Sequence, residues 1–206
     1  MEGYLTIKHK SVCEFTEKRS RFLGAVSPVK TEDEAIEFID ARRKEYWNAT
    51  HNVYAYVLRE GQIRRYSDDG EPQGTAGLPV LNVLIHEKLT DCVAVITRYF
   101  GGVLLGTGGL VRAYAHSTKL AVDQGGIIHM QLCIRGVIKC DYNMYGRISS
   151  LLPEIGGRIC DTQFSDCVEI EFIIPRKLMN ILNEKLTQIS SGSLKAEEIG
   201  QEYAQV

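Results

Sequence analysis

No C-x-x-C pair occurs among the six cysteines of this 206-residue chain, and no histidine stands at finger-like spacing, so a zinc module is not expected. Cys13, Cys92, Cys133, Cys140, Cys160 and Cys167 read instead as reduced thiols packed as small hydrophobes. No window approaches the ~18 consecutive apolar residues of a membrane span. The opening "MEGYLTIKHKSV" lacks a basic segment followed by an apolar one. The expectation is therefore a cytoplasmic protein without membrane association. No serine or cysteine sits in a G-x-S-x-G elbow, which removes one common nucleophile. A net charge of −2 argues against coating nucleic acid through bulk charge but leaves room for a local basic face. Acid is also missing locally: from Cys92 to Val122 there is no Asp or Glu, while Arg98, Arg112, His116 and Lys119 fall in that window.

What is present reads as an α+β protein of two domains, residues 1–126 and 127–206. "YLTIK" and "SRFLGAVSPV" read as strands, with the basic "EKRSR" between them. Thr31 followed by Glu34 is a capping box, and the apolar spacing after it predicts a helix over 32–46. "NVYAYVL" and "QIRRYS" read as strands around the Glu60-Gly61 turn. "GLPVLNVLIHEKL" has helical character, with Thr75 as its expected cap and Pro79 tolerated in the first turn. "DCVAVITRYF" has the continuous apolar character of a buried strand, and a helix follows over about 109–123. Beyond Gln124-Gly125-Gly126 the order is strand, helix, two strands, helix, strand, the ferredoxin-like βαββαβ pattern.

Two glycine-rich stretches carry the chemistry. "RYFGGVLLGTGGLVRAY" ends a strand and starts a helix, aiming backbone N–H groups and a helix N-terminus at one spot, which suits an anion. "GVLLGTG" matches the start of a phosphate-binding loop, but Gly108 stands where that motif needs lysine, which excludes a standard nucleoside triphosphatase. A tight strand-to-helix connection explains the same glycines. Arg98 and Arg112 are placed to flank one anion. Tyr99, Phe100 and Tyr114 add surfaces on which a base can stack. "SDDGEPQGTAGLPVLNVL" is acidic at its start. Asp68, Asp69 and Glu71 suit a metal, acid–base work or a turn. They also suit pairing with Arg98 or Arg112 across the two loops. His51 reads as a capping or packing residue, and Arg21 at a basic strand start can touch an anion.

Together "KRSRFLG", "HNVYAYVL" and the two glycine-rich stretches resemble the YigZ/Impact family over about Ser11 to Gly126. "YNMYGRISSLLPEIGGRICDTQFSDCVEIEFIIP" resembles the smaller C-terminal domain of its bacterial members. The resemblance implies a first domain like the fourth domain of elongation factor G and a ribosomal-protein domain, and a second like the ferredoxin-like fifth domain of that factor. Eukaryotic Impact proteins regulate translation by interfering with a kinase that phosphorylates an initiation factor. They do so through an additional domain that these residues do not match, so that role does not carry across directly. The matching positions are Asp69, Gly70, Glu71, Pro72, Gly74, Thr75 and Gly77 in the first loop. In the second they are Arg98, Tyr99, Gly101, Gly102, Gly106, Gly108, Gly109 and Arg112.

The expected function is a non-enzymatic protein that binds RNA or the ribosome, or a translation-regulating protein, and modulates translation. Arg21, Gly74, Thr75, Arg98, Tyr99, Gly101, Gly102, Gly106, Gly108, Gly109 and Arg112 form the expected anion-binding set, with Asp69 and Glu71 as the acidic loop. No catalytic residue, metal or cofactor is assigned. The alternatives are a small-molecule enzyme that cradles phosphate in the glycine loop, with Asp69 or Glu71 as acid, base or metal ligand, and a protein-interaction module.

Overall fold

The computed structural model describes residues 3–205. Two compact units divide the chain: Tyr4–His129, and the residues from Met130 onward together with Gly3. The first unit holds β1 (Gly3–Ile7) from Tyr4 onward, β2 (Ser11–Glu17), β3 (Ser20–Pro28), α1 (Glu32–Glu45), β4 (His51–Val57), β5 (Arg64–Ser67), α2 (Gly77–His86), β6 (Cys92–Tyr99) and α3 (Thr107–Gly125). Its sheet runs β2-β3-β6-β4-β5, every neighbouring pair antiparallel. β2 is an addition to the sequence reading. Its alternation turns Cys13 and Phe15 inward but leaves Val12 exposed, which weakened the signal. β1 stands outside this sheet, and β7 (Ile127–Cys140) is the strand in which the first unit ends.

β6 lies at the centre of the sheet and is covered on both faces. Ala94 and Ile96 pack with Val80 and Leu84 of α2 and with Leu110 and Tyr114 of α3. Val93 and Val95 face the other way, onto Ala35 and Ile39 of α1. An antiparallel sheet usually keeps one wet face. Here helices on both sides explain why β6 reads as one continuous apolar run. α1 starts as its sequence predicts: Thr31 Oγ1 accepts the Glu34 N–H at 3.2 Å, and Glu34 in turn accepts the Lys30 N–H at 2.6 Å. Acidic residues fill its first turn and basic residues its last, complementing the helix dipole.

Strand register gathers four connections at one end of this sheet. Tyr99 at the end of β6 pairs with Arg21 near the start of β3. Arg98 pairs with His51 at the start of β4, and Ser67 at the end of β5 pairs with Tyr54. The β2–β3 turn, the α1–β4 connection, the β5–α2 loop and the β6–α3 loop therefore share that end.

The second unit continues β7 with α4 (Tyr142–Glu154), β8 (Arg158–Phe164), β9 (Val168–Pro175), α5 (Met179–Ser190) and β10 (Glu197–Ala204). Its strands lie in the order β10-β7-β9-β8, all antiparallel. That order and the βαββαβ sequence make it ferredoxin-like. Ile138, Ile170 and Phe172 on one face pack with Ile148 and Leu152 of α4 and Leu182 of α5. On the other face Glu169 and Glu171 meet Lys139 and Arg135 at 3.1 and 2.9 Å, the wet side that "VEIEF" predicts. All six cysteines are free thiols. Cys92, Cys133 and Cys140 are buried, whereas Cys160 is exposed and departs from the packed role. No helix is long and apolar enough to cross a membrane among the described residues.

Candidate nucleic-acid interface

The two glycine-rich loops are tied together from beneath by a buried ion pair. Arg98 Nη1 donates to Glu71 Oε1 at 2.5 Å, with the two side chains only 5% and 4% exposed. Tyr114 of α3 donates its hydroxyl to the same oxygen at 2.8 Å, and His51 Nε2 stands 3.8 Å from it. Arg98 Nη2 donates to Ser20 Oγ at 3.2 Å, and its guanidinium lies 5.5 Å from the ring centres of Phe22 and Phe100. Its Nε finds no partner among the described residues. Burial first, then the adjacent Glu71 carboxylate, push the Tyr114 hydroxyl far above the ordinary tyrosine range. Of the readings open for the acidic loop, mutual pairing is the geometry observed. Arg98 points inward as a tie between loops and is not free to meet a phosphate. Tyr114, expected to offer a stacking surface, is fully buried for the same reason.

The remaining acids also work within the fold. Asp68 takes three backbone N–H groups: Gly74 at 2.9 Å, Ala76 at 3.0 Å and Gly77 at 2.8 Å. It thereby caps α2 from within the preceding loop. Thr75, the expected cap, instead turns its hydroxyl to the Pro72 carbonyl at 2.6 Å. Gly74 and Thr75 consequently sit at a helix N-terminus already filled by a carboxylate of this chain. Asp69 adopts a left-handed backbone with φ +45° and accepts the Asn52 N–H at 2.6 Å and Arg43 Nη2 at 3.3 Å. His51 Nδ1 meets the Asp69 carbonyl at 2.7 Å, the packing role its position predicts. Among the described residues no three His, Cys, Asp or Glu side chains gather as a metal would need.

The second loop is built differently. Gly101 presses against the β2–β3 turn so closely that a Cβ would stand 2.0 Å from the Arg19 carbonyl carbon, and its N–H donates to Ser20 Oγ at 3.3 Å. Only glycine fits that approach. Gly106, at φ +69°, precedes α3 and supplies no side-chain cap, and the first turn contains no acid. Gly102, Gly108 and Gly109 continue the loop and first turn, with Gly102 and Gly108 exposed. Arg112 lies one turn on and is exposed; its Nη1 comes within 3.7 Å of where a Cβ on Gly108 would stand. Arg21 pairs with Glu14 across the hairpin at 2.7 and 2.8 Å, which holds the Glu14 carboxyl below its usual range. Tyr99 gives its hydroxyl to Asn48 at 2.9 Å.

Around this floor the surface carries features that residue pattern did not single out. Trp47, the only tryptophan, is 81% exposed just beyond α1. Leu104 is 83% exposed, and Phe100 and Val103 are also open to solvent. The segment bearing Trp47 is bonded to β6 and its loop, Thr50 N to the Arg98 carbonyl at 3.0 Å and Phe100 N to Thr50 Oγ1 at 3.1 Å. Lys18 and Arg19 project from the β2–β3 turn. Among the described residues Lys18, Arg19 and Arg112 have no acidic partner.

The Impact N-terminal domain model matches residues 18–122, and a domain of unknown function (DUF1949) matches residues 138–193. The IMPACT family member YvyE of Bacillus subtilis (strain 168) is 39% identical over 199 residues, covering 96% of this chain and 92% of that protein. The chain belongs to the IMPACT family. YigZ of Escherichia coli (strain K12), another member, is 33% identical over 181 residues, with 86% of this chain and 89% of that protein covered. The IMPACT homologue of Dictyostelium discoideum is 36% identical over 113 residues, which is 52% of this chain and 31% of that protein. A crystal structure described as a hypothetical protein aligns with a TM-score of 0.62 at 31% identity, over 98% of this chain and all of its own. The family match spans every residue of the buried tie from Ser20 to Tyr114.

Three expectations follow for this IMPACT family fold. Replacing Asp68 by Ala frees three N–H groups and is expected to cost about 2 kcal/mol in urea denaturation, within the range of lost caps. Replacing Arg98 by Ala leaves Glu71 buried and unpaired, and is expected to cost ~3–5 kcal/mol in the same assay. Tyr114 holds its proton in the folded state above pH 10, where an unfolded tyrosine releases it. Its contribution is complete below that pH and is lost as pH rises. The wild type should lose stability above pH 10 more steeply than Tyr114→Phe, by about 1.4 kcal/mol per pH unit, one proton's worth.

Proposed function

We propose that the loop end of the first unit binds RNA, and that the protein regulates translation through that contact, on the ribosome in the cytoplasm. The observation that carries this reading is the company kept by Lys18, Arg19 and Arg112. These three cations lack acidic partners among the described residues, and they share one end of the sheet with the exposed rings of Trp47 and Phe100. Cations without partners attract phosphates and release counterions. Exposed aromatic rings take unstacked bases, which every single-stranded RNA offers. The resemblance to the elongation factor G domains adds fold-level analogy, which is a weaker support than the site. The enzyme reading finds less support. Asp69 and Glu71, the carboxylates it needs, are occupied by Asn52, Arg43, Arg98 and Tyr114.

The test is fluorescence anisotropy of a labelled single-stranded RNA across a salt series. Arg112→Ala and Lys18→Ala should each weaken binding and reduce the slope of log K against log salt by about 0.7, one phosphate-equivalent. Trp47→Ala should weaken binding without changing that slope. An affinity and slope identical to wild type in all three variants would remove this face as the RNA-binding surface.

A further inference from the structure

A cavity of about 270 Å³ lies between the β2–β3 hairpin and the first half of α3. Lys18 and Arg112 line it, and so does Glu17. Charges of opposite sign thus border one space, yet among the described residues none of the three forms an ion pair. The remaining wall is apolar or aromatic: Leu105, and Phe15 with the His116 ring set edge-on against it at 5.0 Å between centres. Gly109 adds no side chain to the α3 side of the space, which Arg112 and His116 line from the next turns.

A simple anion does not account for the carboxylate in this wall, and a cation does not account for Lys18 and Arg112. A ligand that joins an anion to a hydroxyl donor accounts for both. Carboxylates accept hydrogen bonds from ribose hydroxyls, while lysine and arginine take the attached phosphate. The 2′-hydroxyl is the group by which a protein tells RNA from DNA. We infer that this cavity holds one ribose phosphate unit, with the phosphate between Lys18 and Arg112 and the 2′-hydroxyl donating to Glu17. The apolar wall of Phe15 and Leu105 receives the carbon face of the sugar. For an RNA chain as the source of that unit, the inference rests on the RNA-binding reading above; a free ribonucleotide is the other source.

The experiment compares single-stranded oligouridylate with the oligodeoxyuridylate of the same length, which differ only in the 2′-hydroxyl, by anisotropy with the full-length protein. The wild type should prefer the ribose form by about fivefold, the worth of one hydrogen bond. Glu17→Ala should bring the ratio to about one, and Arg112→Ala should weaken both. Glu17 is exposed in a hairpin, and circular dichroism checks that the variant folds. Equal affinity of the wild type for both oligomers overturns the ribose site while leaving RNA binding intact. Should neither oligomer bind, the RNA reading fails, and calorimetry with uridine monophosphate decides the site alone. Binding that Glu17→Ala abolishes supports it with a free nucleotide as the source, and no binding overturns it.

Discussion

One hydrogen-bonded ion pair, Arg98 to Glu71, sets the shape of the loop end. A charge taken out of water is costly unless its partner and further hydrogen bonds are already in place. Ser20 and Glu71 bond the guanidinium directly, and Tyr114 bonds Glu71 in turn, so that three different elements meet there. Each must reach its position for the others to be satisfied. The β2–β3 hairpin, the acidic loop, the end of β6 and the middle of α3 are thereby brought to one place. Nothing in the apolar core beneath specifies that convergence with the same directional precision.

The consequence for function is a division of labour between charges of the same kind. The acidic loop is spent on the fold. Asp68 fills the N-terminus of α2, Asp69 holds the start of β4, and Glu71 holds Arg98. With those acids consumed internally, Lys18, Arg19 and Arg112 stand without an acidic partner among the described residues. A basic face can therefore exist on a chain whose net charge is −2. The loop ahead of α3 completes the surface. Close approach at Gly101 lets the hairpin turn lie against the loop, so that Lys18 and Arg19 stand beside it.

Much of the fold was legible because local rules and tertiary demands agree. Thr31 and Glu34 announce α1, and alternation announces β9 with its charged face. The βαββαβ order of the second unit dictates its strand order once right-handed crossovers are assumed. The disagreements have local causes. An exposed Val12 blurs the alternation of β2. Thr75 looked like a cap because it precedes the helix, but a carboxylate eight residues before Ala76 reaches the same N–H groups.

The amino-acid sequence by itself determined most of the elements and the family, and it named pairing across the two glycine-rich loops as one of several readings of the acidic loop. Those depend on periodicity, turn chemistry and motif, which are properties of neighbouring residues. The tertiary structure alone decided which charges face inward. Arg98 and Arg112 lie in one acid-free window and look equivalent there. β6 is apolar on both faces, so alternation cannot say which side Arg98 takes. In the fold it shares the side of Ala94 and Ile96, beneath Tyr114, whereas Arg112 lies on the open face of α3. Burial of one arginine and exposure of the other follow from how a helix crosses a sheet, a contact between residues far apart in the chain.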